Sequence, residues 1–229
     1  MATAENHLIE RLPRSDRRRL LATCSQVELQ ASDVLCESGK PLRDVYFPTF
    51  GCISMIAGVD GNPGLEVGMV GREGMLGSHL VLGVAIAPLR AVVQGAGAAL
   101  RVAAAPFRVE LARSLPLRRI LLRYVYVRMS QLATSAACPL FHLIGPRLAR
   151  CLLMSQDRAH SDHFHATQES LADLLGVRRV SVTISAGELQ RHGLIVYRRG
   201  EVTVLDRGGL EAVACSCYEA DRVAYAGRM

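Results

Sequence analysis

Residues 166–200 read ATQESLADLLGVRRVSVTISAGELQRHGLIVYRRG, and the glycine at position 176 constrains the fold of this stretch more than any other residue. Leu171, Ala172, Leu174 and Leu175 supply the buried face of one short helix, and Val182, Ala186 and Leu189 that of a second. Two such helices share a core only if the chain turns sharply between them, and Gly176 tolerates the left-handed backbone that the turn needs. Thr167 is placed to accept a hydrogen bond from the first turn of the first helix, and Glu169 puts negative charge at its positive end. Beyond the second helix, residues 194–198 and 201–205 flank Arg199-Gly200. They are expected to form a hairpin wing.

Arg178, Arg179, Val180, Ser181 and Thr183 fall on the exposed N-terminal face of the second helix. An arginine pairs with guanine in the major groove, an apolar side chain meets the thymine methyl, and hydroxyls or further arginines hold phosphates. The wing adds Arg198 and Arg199, aimed at the DNA backbone. The competing reading is a solvated helical hairpin with incidental arginines. The net charge of +6 and the pI near 9.2 fit a phosphate-bearing partner. Lys40 is the only lysine, a bias that also arises from base composition of a genome.

The 229 residues allow two domains or one large one. No apolar run approaches the roughly 18 to 20 residues of a membrane span, so no membrane partner is expected. The first residues, MATAENHLIERLPRSDRRRLL, hold neither an uninterrupted apolar core nor a small-residue cleavage site, and Glu5, Glu10 and Asp16 argue against a transit peptide. A cytoplasmic chain is expected. Its seven cysteines (24, 36, 52, 138, 151, 215 and 217) are odd in number and show no CxxC pairing. They are read as reduced, small core residues rather than as a zinc site or a disulfide framework.

Between residues 25 and 105, QVELQ, DVLCE, DVYFPTFGCISMIAG, LEVGMV and LRAVVQ are rich in valine, isoleucine and aromatics, with turn residues at 39–41, 60–64 and 71. Short strands so punctuated predict a sandwich or jelly roll. Helix returns at LPLRRILLRYVYVRMSQLATSA, residues 115–136, with Ser114 as N-cap and Pro116 in the first turn. Leu115, Leu122, Val125, Met129, Leu132 and Ala136 lie on one seam, widened by Tyr124, Val127 and Ala133. A second copy of the helix is expected on the seam from Leu122 to Ala136, with the β domain on the other side. Pro139 and Gly145-Pro146 predict a bend, with a new helix opening at Pro146. The expected architecture is α+β: a β-roll domain at 1–113, a dimerisation helix and hinge at 114–142, and a winged helix-turn-helix at 143–229.

Taken in order, EVGMVGREGMLG, the helix at 114–138, TQESLADLLGVRRVSVT and the following LQRHGLI with its wing resemble the Crp/Fnr superfamily of transcription regulators over nearly the full chain. The resemblance implies a homodimer on a two-fold symmetric operator, with RNA polymerase as a further partner. It places base reading at Arg179 and Val180 and a phosphate contact at Ser181, within a DNA-contacting set of Thr167, Gln168, Arg178, Arg179, Val180, Ser181, Thr183, Arg198 and Arg199. Arg178 departs from the family by standing where a capping serine is common. Val180 departs from it by replacing a glutamate, so a different half-site is implied.

The cyclic-nucleotide receptors of the family carry a glutamate for the ribose and an arginine-serine pair for the phosphate. Here Met75 and Leu89-Arg90 stand at those places, and a buried cyclic phosphate without partners is costly. Cyclic AMP and GMP are therefore not expected. Cys24 and Cys36 are too few for an N-terminal iron-sulfur cluster, and a lone His79 is a weak haem ligand. His160, Asp162, His163 and His165 in HSDHFH are read as a polar connecting loop rather than a metal site, and Cys215-Ser216-Cys217 as part of the final helix. The expectation is thus no cofactor, no metal and an effector of unknown identity. No nucleophile elbow, phosphate loop or metalloprotease motif points to an enzyme. The alternative function is a ligand-binding signalling module that does not bind DNA.

Overall fold

The computed structural model describes residues 6–58, 64–159 and 161–229. Glu5, most of the turn at 60–64 and His160, which entered the expectations above, lie outside them. The chain opens on two short helices, α1 (His7–Glu10) and α2 (Arg14–Ala22). Buried Asn6 caps α1 by accepting from the Leu8 N–H at 3.1 Å, and its amide donates to the carbonyls of Pro48 and Gly74, each at 2.9 Å. That one side chain pins the N-terminus to the β domain.

Strands β1 (Ser25–Leu29), β2 (Val34–Cys36), β3 (Asp44–Ala57), β4 (Leu65–Val70) and β5 (Arg90–Ala103) form one antiparallel sheet in the order β1-β5-β3-β4, with β2 also paired to β5. The expected final strand stopped at residue 94, whereas β5 runs nine residues further. Its second half, GAGAALRVA, has little strand preference of its own. It is held as strand from both sides, by β1 through Ser25↔Arg101 to Leu29↔Gly97 and by β3 through Asp44↔Ala103 to Phe50↔Ala98. The ladder between β3 and β5 shifts register around Phe50 to Ile53, and Gly51 sits there at φ 77°. A Cβ on the facing Gly97 would collide with the Phe50 carbonyl, so both glycines are needed where the strands bend past each other.

Helix α3 (Ala104–Arg113) leads into the long α4 (Leu115–Phe141), which Ser114 caps by accepting from the Leu117 N–H at 3.1 Å. Leu117, Leu121 and Tyr124 pack with Leu8, Ile9, Phe47 and Phe107 into the core between helices and sheet. The bend falls between the two prolines rather than at either: α4 continues through Pro139 to Phe141, and α5 (Ile144–Ala159) opens two residues before Pro146. Pro139 stands in the last turn, where its missing N–H removes a single helical bond and few later residues need one. The joint is His142-Leu143.

Beyond α5 come β6 (His163–His165), α6 (Gln168–Leu175), α7 (Arg179–Arg191), β7 (Ile195–Arg198), β8 (Glu201–Val204), α8 (Arg207–Val213) and α9 (Cys217–Ala226). Strands β6, β8 and β7 form a second antiparallel sheet. HSDHFH is therefore not simply a loop, because its last three residues add a third strand to the wing. Leu148, Leu152, Leu171, Val182, Leu189, Ile195, Val202 and Leu210 build the C-terminal core, and Met69 of β4 is buried in that same cluster. The β domain thus contributes directly to the core beneath the helix pair. Helix α9 leaves this unit and packs along α4, with the Tyr225 hydroxyl donating to the Glu73 carbonyl at 2.9 Å. No helix among the described residues is long and apolar enough to cross a membrane.

Candidate nucleic-acid interface

Thr167 caps α6 as its position predicts, its Oγ1 accepting from the Ser170 N–H at 3.1 Å. Gly176 ends the helix in the left-handed region at φ 62°, and the two-residue link Val177-Arg178 delivers α7. Arg178 takes the N-cap position of α7 without making a side-chain cap. Among the described residues its guanidinium, which is exposed, has no ion-pair partner. Val182, Ser185, Ala186 and Leu189 face inward, which fixes the opposite face outward.

That outward face carries Arg179, Val180 and Thr183, all exposed, with Ser181 half-buried at its edge. Val180 is 67% exposed, and Ile184, which the sequence reading passed over, is 60% exposed. Ile184 stands one turn beyond Val180, so its helical spacing was the available signal. Arg179 Nε lies 3.9 Å from Glu169 Oε2, both side chains well exposed, a contact too solvated to neutralise it. Thr183 Oγ1 donates to Gln168 Oε1 at 2.8 Å, joining the two helices at their reading ends.

In the wing, Arg199 and Gly200 hold φ of 54° and 84°, the pair of positive values that a tight two-residue hairpin turn requires. Arg199 is exposed at its tip, and Arg198 is exposed at the end of the strand that leads into it. The Tyr197 hydroxyl donates to the Ala166 carbonyl at 2.6 Å, tying the wing to the entrance of α6, and burial pushes its pKa up to about 12. His163 and His165 bracket Glu201 on the neighbouring strand at 3.2 and 2.7 Å, while Asp162 Oδ1 accepts from Gln156 Nε2 at 2.7 Å. The histidine stretch is thus engaged in the wing sheet.

The helix seam needs one correction. Leu115, Leu122, Met129 and Ala136 are exposed and Leu132 is half-buried, but Val125 is only 9% exposed and belongs to the chain's own core. Tyr126 takes its place on the outer face. Leu122, Tyr126, Met129, Ala133, Ala136 and Leu140 are all exposed at alternating spacings of four and three; the seam through Val125 keeps the same coiled-coil period, but only this one is open to a second helix along its whole length. Of the residues expected to widen the seam, Ala133 is exposed, whereas Tyr124 and Val127 are buried, Tyr124 in the core between helices and sheet.

At the joint between β4 and the helices, Arg128 Nη1 donates to the Met69 carbonyl at 3.0 Å, Arg158 pairs with Glu73 at 3.1 Å, and Arg150 pairs with Asp221 at 2.8 Å. Arg147 Nη2 donates to the Leu175 carbonyl at the end of α6. Glu66 lies among these charges, and burial pushes its carboxyl up to about 7 against the opposing pull of Ser54 and the arginines. At the cassette position, Met75 is buried in the core and its carbonyl accepts from the Tyr124 hydroxyl at 3.4 Å. Arg90 pairs with Glu37 at 3.3 Å. Half-buried His79 lies on the 3-10 turn Ser78–Leu82, where burial lowers its pKa.

Along the sequence Cys215-Ser216-Cys217 lies far from Cys138 and His142. The fold brings all four together, with their ligand atoms within 4.8 Å of one another.

Residues 146–213 match the family model of the Crp-like helix-turn-helix domain. No curated protein sequence matches the chain. Among solved structures, FixK2 from Bradyrhizobium japonicum is 12% identical with a TM-score of 0.71, the match covering 84% of this chain and 98% of that one. A Crp-family transcriptional regulator from Thermus thermophilus is 22% identical with a TM-score of 0.68, over 85% and 99%. A regulator of the Crp/Fnr family from Eubacterium rectale is 15% identical with a TM-score of 0.68, over 93% and 100%.

Proposed function

From the premise that residues 146–213 form a Crp-like helix-turn-helix domain on a chain with the fold of Crp/Fnr-type regulators, we propose that the protein is a sequence-specific, DNA-binding transcription regulator acting as a cytoplasmic homodimer. The observation that carries this reading is the outer face of α7, where Arg179, Val180, Thr183 and Ile184 stand exposed on a helix whose other face is locked into the core. It offers two hydrogen-bonding side chains and two apolar ones, the combination that reads base edges and thymine methyls. Thr167, Gln168, Arg178, Ser181, Arg198 and Arg199 surround that face as backbone contacts.

The exposed stripe from Leu122 to Leu140 is the proposed self-pairing surface, and two copies related by a two-fold axis present their α7 helices to successive major grooves about one helical turn apart. In this reading the chain divides into a sensor-like roll at 1–113, the dimerisation helix to 142, and the DNA-binding unit from 143. The burial of Met69 in the C-terminal core supports a route by which an effector in the roll alters DNA affinity. The engagement of Met75 and Arg90 within the protein supports an effector other than cyclic AMP or GMP. RNA polymerase is the expected further partner, and no catalytic role is assigned.

Selection of bound sequences from random duplex DNA tests this. The expected result is a two-fold symmetric site whose half-site centres are about 10 base pairs apart. Failure to enrich any sequence, with DNA retained only at low salt, would favour a signalling module without specific DNA binding.

A further inference from the structure

Cys138 and His142 stand one turn apart at the end of α4, where the His142 N–H donates to the Cys138 carbonyl at 3.0 Å. Cys215 and Cys217 arrive from the turn into α9, 73 or more residues later in the chain. Backbone bonds hold this second pair over the first: Cys215 N–H donates to the Pro146 carbonyl at 3.1 Å and Tyr218 N–H to the Cys215 carbonyl at 3.0 Å. Cys138 Sγ lies 3.7 Å from Cys215 Sγ, and Cys217 Sγ lies 3.6 Å from His142 Nδ1.

Those distances discriminate among the chemistries open to three thiols and an imidazole. A disulfide would bring two sulfurs to about 2.05 Å. A cluster of two or four irons needs thiolates on different irons, set wider apart than the ligands of a single ion. A tetrahedral ion with bonds of about 2.3 Å to sulfur and about 2.0–2.1 Å to nitrogen has edges of about 3.8 Å between sulfurs and about 3.6 Å between sulfur and nitrogen. The two close pairs match those edges, and the 4.8 Å limit on the whole set fits one centre.

Burial and charge agree. All three cysteines are buried in a small cluster of their own, separate from the apolar cores. Three thiolates on a divalent cation leave one negative charge, and the partly buried cation Arg150 lies close enough to act electrostatically on Cys138 and Cys215. Arg150 is itself held by Asp221 at 2.8 Å.

We propose that Cys138, His142, Cys215 and Cys217 form a closed Cys3His site for a single thiophilic divalent cation, zinc by its tetrahedral preference. The site lies outside the reading face, and Cys215 and Cys217 follow the last residue matched by the domain family. It fastens the end of the dimerisation helix to α9 across the His142-Leu143 joint, so a bound ion fixes how the helix-turn-helix unit sits on α4. Its ligands must be deprotonated to bind, and metal binding and stability of this joint are therefore linked.

The test uses the full chain, purified reduced and without metal-affinity resin, and it needs no DNA. Elemental analysis should give one zinc per chain, and cobalt substitution should give the visible bands of a tetrahedral ion with thiolate charge transfer. Cys138→Ser and Cys215→Ser should each lose the metal, while Cys24→Ser, outside the site, keeps it. If the serine variants fail to fold, His142→Asn supplies the reading: its cobalt bands should shift while the thiolate charge transfer persists. Wild-type protein with metal at blank level and no cobalt bands, an iron-sulfide chromophore, or a Cys138-Cys215 disulfide as the form recovered under reducing conditions would each overturn the proposal.

Discussion

Thr183 Oγ1 donates to Gln168 Oε1 across 2.8 Å, so the second helix of the pair fixes the amide at the start of the first. With its oxygen engaged, Gln168 offers its amide N–H groups at the positive end of α6, the arrangement that suits a phosphate. Gln168→Glu replaces those donors with a carboxylate. Binding to every sequence should weaken by about 1.5–3 kcal/mol, the range for a hydrogen bond to a charged group, while the selected consensus stays the same. A changed consensus would make Gln168 a base reader.

Arg179 and Arg199 should behave differently. Arg179 lies on the outer face of α7, and Arg179→Ala should cost about 1–3 kcal/mol per half-site and relax preference at one base pair. Arg199 lies at the wing tip with φ 54°, so Arg199→Asn is the cleaner variant, because asparagine tolerates left-handed backbone. It should weaken all sequences alike and reduce the slope of log K against log salt by about one phosphate's worth. Titrations of cognate and scrambled duplexes at several salt concentrations separate the two outcomes.

Self-association should depend on the stripe through Tyr126 and Met129. Met129 is 64% exposed in the single chain, so Met129→Glu leaves the fold of one chain intact but buries unpaired charge when two α4 helices meet. With Tyr126→Glu added, the protein should sediment as a monomer with normal far-ultraviolet circular dichroism and weak operator binding. Val125→Glu should instead unfold the β-roll, since Val125 is buried in the same core as Phe47 and Phe107. A dimeric double variant would move the interface elsewhere.

What could be read from the sequence follows from how local each signal is. The helix pair was legible because Thr167, Gly176 and the apolar spacing all act within one or two turns, and the wing because Arg199-Gly200 demands positive φ. The second half of β5 was not, since strand is imposed on GAGAALRVA by partners elsewhere in the chain. Val125 and Tyr126 were exchanged because the series 122-125-129-132-136 and 122-126-129-133-136-140 both keep the three-four period, and only packing of the helix on its own β domain decides which one stays exposed. The cysteine cluster was hidden by distance along the chain, although Cys138-x3-His142 beside Cys215-x-Cys217 is the pattern that would have flagged it.

Stability should carry a pH signature from Glu66. Its Oε2 is buried without a hydrogen-bond partner among the described residues, and burial is the main cause that lifts its carboxyl from 4.5 to about 7, opposed by Ser54, Arg158, Arg150 and Arg128. Cys52 and Cys151, the other titratable groups beside it, have thiols pushed up by burial and are neutral across this range. Because the folded carboxyl holds its proton more tightly than the unfolded one, the folded state binds more protons between about pH 4.5 and 7. The Glu66 contribution is therefore fully present below the unfolded pKa and is lost as pH rises through the folded one. Glu66→Gln keeps the neutral shape and removes the titration. Relative to wild type it should be near neutral at about pH 4.5 and stabilising by on the order of 2 kcal/mol at about pH 8. Urea unfolding of both proteins across that range measures the difference directly, since all other titrating groups cancel. A difference independent of pH would mean that Glu66 is ionised in the folded chain and paired with the arginines around it.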